Sequence, residues 1–358
     1  LSPSVDSALP ARMMARMTDS VVDPAYALRT RRNATAWQAF VVLIAAVTIL
    51  PIVFIPFSQH VMTDADSAMG AIVVLTFIGN NFHVAASSWF FTDREMRGHF
   101  RKHSRRYIIV PLLLIAGCAL LFQFADKPLR GWTLAVFFSW QLWHYQKQNV
   151  GVLSFIAAGT GSGPLSVWER RTLVAAALAG ILGFFSLTTI GLGNWAPQFA
   201  LVHQLGAVAY LAVPVLFVIS VVKTPGLGTS KLRLAFLALG ASFFLPTYLF
   251  DDPMSATMGY ALAHGLQYVV FMGIVSVRRK APIASLVTLL GLSILGALLL
   301  NAAVRAPDIA DLPYGFAIYG VFVGTVMTHF VLDAGIWRLR EPFQRGYMRE
   351  RFSFVFNR

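Results

Sequence analysis

Eight histidines occur in the 358 residues. Five of them, His83, His144, His203, His264 and His329, fall inside runs apolar enough to sit in lipid, together with Lys147 and Asp333. An ionisable side chain in hydrocarbon costs about 2.5–3.5 kcal/mol by insertion measurements, so such residues face a polar interior and are functional candidates by default. Imidazoles with few carboxylates suit iron, copper or zinc better than magnesium or calcium. No DxxD-type pair lies in an apolar run, which argues against magnesium-dependent lipid chemistry.

Helical spacing gathers the polar residues into stripes. Asn80, His83 and Ser87 stand at i, i+3 and i+7, and Gln141, His144 and Gln148 repeat that interval with Tyr145 on the same arc. Thr325, His329 and Asp333 stand at i, i+4 and i+8, and His264 and Gln267 at i and i+3. Depth counted from the ends of the apolar runs predicts two levels. The inner level is a metal site of His83, His144, His329 and Asp333, with His99 and His103 as further ligands from a basic loop. Asn80, Gln141, Tyr145, Lys147, Gln148 and Asn149 would orient ligands or substrate. The outer level is a polar site of His203, His264 and Gln267.

The expected function is a metal-dependent oxidoreductase, with non-haem iron activating oxygen or relaying electrons for a lipidic or quinone-like substrate. Zinc as a Lewis acid is the alternative metal. Two other readings compete. Histidine pairs at two depths can hold two haems for transmembrane electron transfer. Lys147 and Asp333, the only opposite charges in the apolar runs, can form the relay of a proton-coupled transporter. The bland reading of every intramembrane histidine is a hydrogen-bonded link between helices.

One element, His99-Phe100-Arg101-Lys102-His103, is similar to the histidine boxes of membrane fatty-acid desaturases and hydroxylases, whose cytoplasmic boxes bind two irons. The likeness covers under a tenth of the chain. No HxxHH occurs, and most other histidines lie within apolar runs, so membership does not follow.

The elements that must position these residues follow from composition. The chain is 57% hydrophobic and 13% charged, where a soluble domain carries about 25% charged residues. Windows of about 20 apolar residues predict an all-α polytopic membrane protein of about ten spans: 37–57, 68–91, 107–125, 131–158, 172–192, 197–222, 232–250, 254–277, 282–304 and 313–337. The hydrocarbon parts of the odd-numbered spans contain no His, Lys, Arg, Asp or Glu, so the even-numbered spans are expected to line the interior while the odd ones face lipid or brace them. The formal charge of +13 suggests nucleic acid until the charges are located. Of the 29 Lys and Arg, 25 lie in 1–36, in alternate loops or in 338–358. That is the positive-inside pattern with both termini cytoplasmic, and no nucleic-acid partner is expected.

Residues 1–36 and 338–358 are read as cytoplasmic segments flanking a transmembrane domain of 37–337. The first segment has no long apolar run, so a cleaved signal is not expected, and Met17 is an alternative start. Trp37, Trp89, Trp168 and Trp337 mark an inner aromatic belt, and Trp132 and Trp195 an outer one. The expected location is a bacterial cytoplasmic membrane. Expected partners are membrane lipids, a lipophilic small molecule and an electron donor. Cys118 is read as an inert buried thiol, and Gly320 and Gly324 as a GxxxG contact within the chain or between copies.

Overall fold

The computed structural model describes residues 24–61, 77–185, 196–250, 253–277, 281–309 and 312–356, and every regular element among them is helical. The Met17 start, Trp195 and the loop charges Asp64, Asp66, Asp251, Asp252, Arg278, Arg279, Lys280 and Asp311 lie outside the described residues.

The chain opens with α1 (Pro24–Val61). Helix α2, 77–92, is irregular: it is π-helical over Phe77–Phe82, α-helical over His83–Ala86 and tightened to 3₁₀ over Ser87–Thr92. Asp93 then caps α3 (Arg94–Lys102), its carboxylate accepting from the amide of Glu95 at 2.9 Å. Helix α4 (Arg105–Phe124) follows. Asp126 caps α5 (Lys127–Gly159). Ser166 and Glu169 form a capping box at the start of α6 (Val167–Phe184). Next come α7 (Ala196–Tyr210), α8 (Ala212–Lys223) and α9 (Lys231–Ala241). The chain continues through α10 (Pro253–Val277), α11 (Pro282–Arg305) and α12 (Gly315–Ile336) to α13 (Pro342–Arg351).

Among the described residues, six stretches are long and apolar enough to cross a membrane: Arg32–Ile55, Arg105–Phe124, Pro197–Lys223, Thr257–Val277, Pro282–Asp308 and Gly315–Ile336. The fold is that of a helical membrane protein. Burial separates the crossing helices. The apolar windows of α10 and α12 are 56% buried, against 22% for α4 and for the α7–α8 stretch. Buried side chains also mark α2, α5 and α6, so the interior is not lined by even-numbered spans alone. The α7–α8 stretch also departs from the expected pattern. It shows Leu201, Leu205, Val208, Leu211 and Val215 outward, while His203 bonds the Gly183 carbonyl of α6 and Ser220 bonds Thr172 of α6 at 2.9 Å. One face of the stretch therefore packs on α6 and the other is exposed.

Two close approaches set the interior spacing. A Cβ on Gly79 would lie 2.7 Å from the Leu262 Cα, and one on Gly265 would lie 2.9 Å from the Gly79 Cα. Only hydrogen at these positions lets α2 reach α10. On the other side, a Cβ on Gly320 would lie 2.7 Å from the Ala119 Cα, and one on Gly324 would lie 2.6 Å from the Ile115 Cα. The GxxxG face thus packs α12 on α4 within the chain, the small-residue contact that lipid-embedded helices use in place of hydrophobic collapse.

Polar staples hold the bundle where apolar contact alone discriminates little. Glu169 and Arg233 form a buried bidentate pair (Nε to Oε1 2.8 Å, Nη2 to Oε2 2.7 Å) joining α6 to α9. Arg233 also donates to the carbonyls of Ser162 and Pro164, so its donors are largely used. Gln146 Nε2 donates to the carbonyls of Leu173 (2.8 Å) and Gly240 (3.1 Å). Removing one partner of a buried ion pair leaves an uncompensated charge and costs about 3–5 kcal/mol. Glu169→Ala is expected to lower the thermal unfolding midpoint of the detergent-solubilised protein sharply. Exposed Glu350→Ala should leave the midpoint nearly unchanged, and equal midpoints for the two variants would refute the role of this pair.

Candidate metal centre

Four imidazoles meet at the centre of the bundle, one from each of four helices. His83 comes from α2, His144 from α5, His264 from α10 and His329 from α12, and all four are buried. Their rings form a closed circuit. Centroids are 4.8 Å apart for His83–His264, 4.9 Å for His264–His144, 5.1 Å for His144–His329 and 5.0 Å for His329–His83, each pair crossed at 75–87°. Asp333, one turn beyond His329 on α12, presents Oδ2 at 3.8 Å from Nε2 of both His144 and His329. Two overlapping triads, His83/His264/His329 and His144/His329/Asp333, each bring their ligand atoms within 4.8 Å of one another.

The polar accounting marks this centre as unusual. Nε2 of His83, His144, His264 and His329 is buried with no hydrogen-bond partner among the described residues. A buried polar atom left unpaired costs about 1–3 kcal/mol, and native structures hold few of them. Nδ1 of His83 and of His264 is likewise unpartnered among the described residues, and the two triads that could hold a cation share His329. With metal–nitrogen bonds of about 2.1 Å, imidazoles at neighbouring coordination positions have centroids roughly 4.5–5 Å apart, close to the spacing observed.

Hydrogen bonds around the ring set its protonation. Tyr268 Oη donates to Asp333 Oδ1 at 2.8 Å. Ser87 Oγ lies 2.8 Å from Tyr268 Oη and 2.7 Å from His329 Nδ1. Since Tyr268 spends its single proton on Asp333, Ser87 donates to Tyr268, and the proton between Ser87 and His329 belongs to Nδ1. The donor chain runs from His329 through Ser87 and Tyr268 to Asp333. It leaves His329 Nε2 with its lone pair toward the other imidazoles, the tautomer a metal ligand needs.

The expected surrounding residues divide into two groups. Asn80 Oδ1 accepts from Gln141 Nε2 at 3.1 Å, and the same amide donates to Tyr145 Oη at 2.5 Å. The Tyr145 ring in turn packs on His264 at 4.2 Å. Gln148 Nε2 donates to the His264 carbonyl and to Gln267 Oε1, both at 2.8 Å. Gln267 donates to Thr48 Oγ1 at 2.7 Å, while Asn149 donates to Gln146 Oε1 at 2.9 Å. These amides join α1, α5 and α10 behind the ring. Phe330 stacks on His144 at 4.6 Å.

Several expected placements change. His264 belongs to the same ring as His83, His144 and His329, not to a separate outer level. Depth had been counted from the ends of apolar runs, but α5 spans 33 residues, about 50 Å. His144 is near the middle of that helix, level with His264 near the middle of α10. His203 stands apart, with Nδ1 against the Gly183 carbonyl at 2.9 Å and its ring against Tyr248. Lys147 is exposed with its ammonium 4.9 Å from the Trp143 ring, and the ion-pair and hydrogen-bond partners of Asp333 are His144, His329 and Tyr268. His99 and His103 share a helical face with ring centroids 4.5 Å apart, but they form no triad of ligands among the described residues. His99 is instead stacked flat on Phe343 at 4.1 Å. Partial burial, then the positive charges of His103, Lys102 and Arg106, hold its pKa below 6.5. Tyr268, one turn after His264, is absent from the expected stripes, whereas Ser87, one turn after His83, is among them.

No protein-family model matches the chain, and neither a curated protein nor a solved structure matches it.

The donor chain yields a direct test. In ¹⁵N-histidine spectra of metal-free protein, His329 is expected as the Nδ1–H tautomer, and Ser87→Ala should remove that bias. An Nε2–H signal for His329 in the parent protein would contradict the assignment.

Proposed function

We propose that this chain is a metal-dependent membrane oxidoreductase in which His83, His144, His264 and His329, with Asp333 beside them, hold a non-haem iron. The observation that supports it is the closed ring of four buried imidazoles whose Nε2 atoms lack protein partners. Iron held this way supplies one-electron and oxygen chemistry. The single carboxylate and four neutral nitrogens disfavour magnesium or calcium. The substrate is proposed to be lipidic or quinone-like, since the centre is walled by apolar and aromatic side chains such as Phe330, Tyr145 and Tyr268. A membrane or soluble electron donor completes the scheme. The proposed topology is ten spans with both termini cytoplasmic, on the strength of the one-sided distribution of Lys and Arg.

The haem alternative has less support. A macrocycle between two axial histidines would have to separate rings that each touch two others at 4.8–5.1 Å. The proton-relay alternative loses its proposed partner, since Lys147 is exposed against Trp143. Zinc remains the alternative metal, with Lewis-acid instead of redox chemistry.

Elemental analysis and visible spectroscopy on protein purified without added metal test the reading. About one iron per chain is expected. His144→Ala and His329→Ala should each lose most of it. Retention of full metal by both variants would refute the ligand set, a Soret band would replace it with haem, and a metal-free protein with no absorbance would sink the redox function.

A further inference from the structure

The second concentration of ionisable residues lies away from the histidine ring, in a cleft of about 1270 Å³ between α3, the start of α4 and the 338–351 segment. Its charges are not evenly balanced. The carboxylates are taken up by guanidiniums. Asp93 accepts from Tyr347 Oη at 2.9 Å and lies 3.5 Å from Arg351. Glu95 and Glu350 lie 3.7 and 3.8 Å from the same guanidinium. Glu341, on the Arg106 side, lies 3.9 Å from Arg338 and 3.8 Å from Arg340. His99, Lys102, His103 and Arg106 stand at i, i+3, i+4 and i+7 and line one wall. Lys102 and Arg106 have no carboxylate within 4 Å among the described residues, so this wall keeps net positive charge.

Apolar surface begins where the cations end. Ile108, Ile109, Val110, Leu112 and Leu113 of α4 are exposed, the last of them about 10 Å along the helix axis from Arg106. The wall thus pairs an anion-attracting head with an adjoining strip for an acyl chain, the division of an amphiphile. The flat stack of His99 on Phe343 and the donation of Gln344 Nε2 to His99 Nε2 at 3.2 Å hold one imidazole of the wall in place.

We propose that the wall formed by His99, Lys102, His103 and Arg106 binds a phosphate group, carried by a lipid whose chains lie along α4. The site is independent of whether the histidine ring holds a metal. Each Lys or Arg near an anionic lipid surface contributes about 1 kcal/mol, or about fivefold in affinity.

Binding of dihexanoyl phosphatidic acid to the full chain in detergent, measured by calorimetry below the lipid's own micelle concentration, tests the proposal. Dihexanoylglycerol and inorganic phosphate serve as comparison probes. Phosphatidic acid is expected to bind at least tenfold more tightly than dihexanoylglycerol. Lys102→Gln and Arg106→Gln should each weaken it about fivefold, while Arg171→Gln, near the start of α6, leaves it unchanged. Weak binding of inorganic phosphate identifies the lipid as the source, and phosphate binding as tight as that of the lipid identifies a free phosphate compound. Equal affinity for the two lipids, or no loss in the variants, overturns the proposal. Lys102 is exposed, so its variant alone decides the matter if Arg106→Gln does not fold.

Discussion

The structure turns on the cost of polar atoms in a low-dielectric interior. Nitrogens of four imidazoles are buried without hydrogen-bond partners among the described residues, and nothing apolar compensates such a group once water is excluded. Every interaction near the ring follows from that constraint. The Ser87–Tyr268–Asp333 chain fixes one ring, the Tyr145 face supports another and Phe330 packs on a third. The supporting side chains order the imidazoles and leave ligand atoms of two triads, His83/His264/His329 and His144/His329/Asp333, within 4.8 Å of one another.

Helix packing makes this centre reachable. The glycine contact between Gly79 and Gly265 draws α2 onto α10 within a turn of His83 and beside His264. The π-helical opening of α2 rotates the following turn, a feature that often accompanies functional sites. On the far side Gly320 and Gly324 seat α12 on α4. The amide network of Gln148, Gln267 and Asn149 and the buried Glu169–Arg233 pair then lock registers that contact between apolar surfaces leaves loosely determined.

The second charged region obeys a different balance. In the cleft beside α3, carboxylates pair with Arg351, Arg338 and Arg340, while Lys102 and Arg106 have no carboxylate within 4 Å among the described residues. Lys102 and His103 are exposed, so interactions with them are individually weak and screened. Recognition there depends on several like charges acting on one anion, whereas the histidine ring depends on directed lone pairs.

Much was legible in the sequence because the membrane imposes simple rules. A low charged fraction, long apolar runs and helical stripes of histidine announced an all-helical membrane protein and named His83, His144, His329 and Asp333 as companions. The i, i+3 and i+4 intervals also grouped Asn80, Gln141, Tyr145, Gln148 and Asn149 near them. Two things required the tertiary structure. One was the level of His264, since depth cannot be counted from apolar boundaries when a helix runs 33 residues and extends past its apolar core. The other was the tautomer of His329, set by Ser87 and Tyr268 from different helices. A sequence states which residues share a face of one helix, but which faces meet is decided by close contacts among residues far apart in the chain.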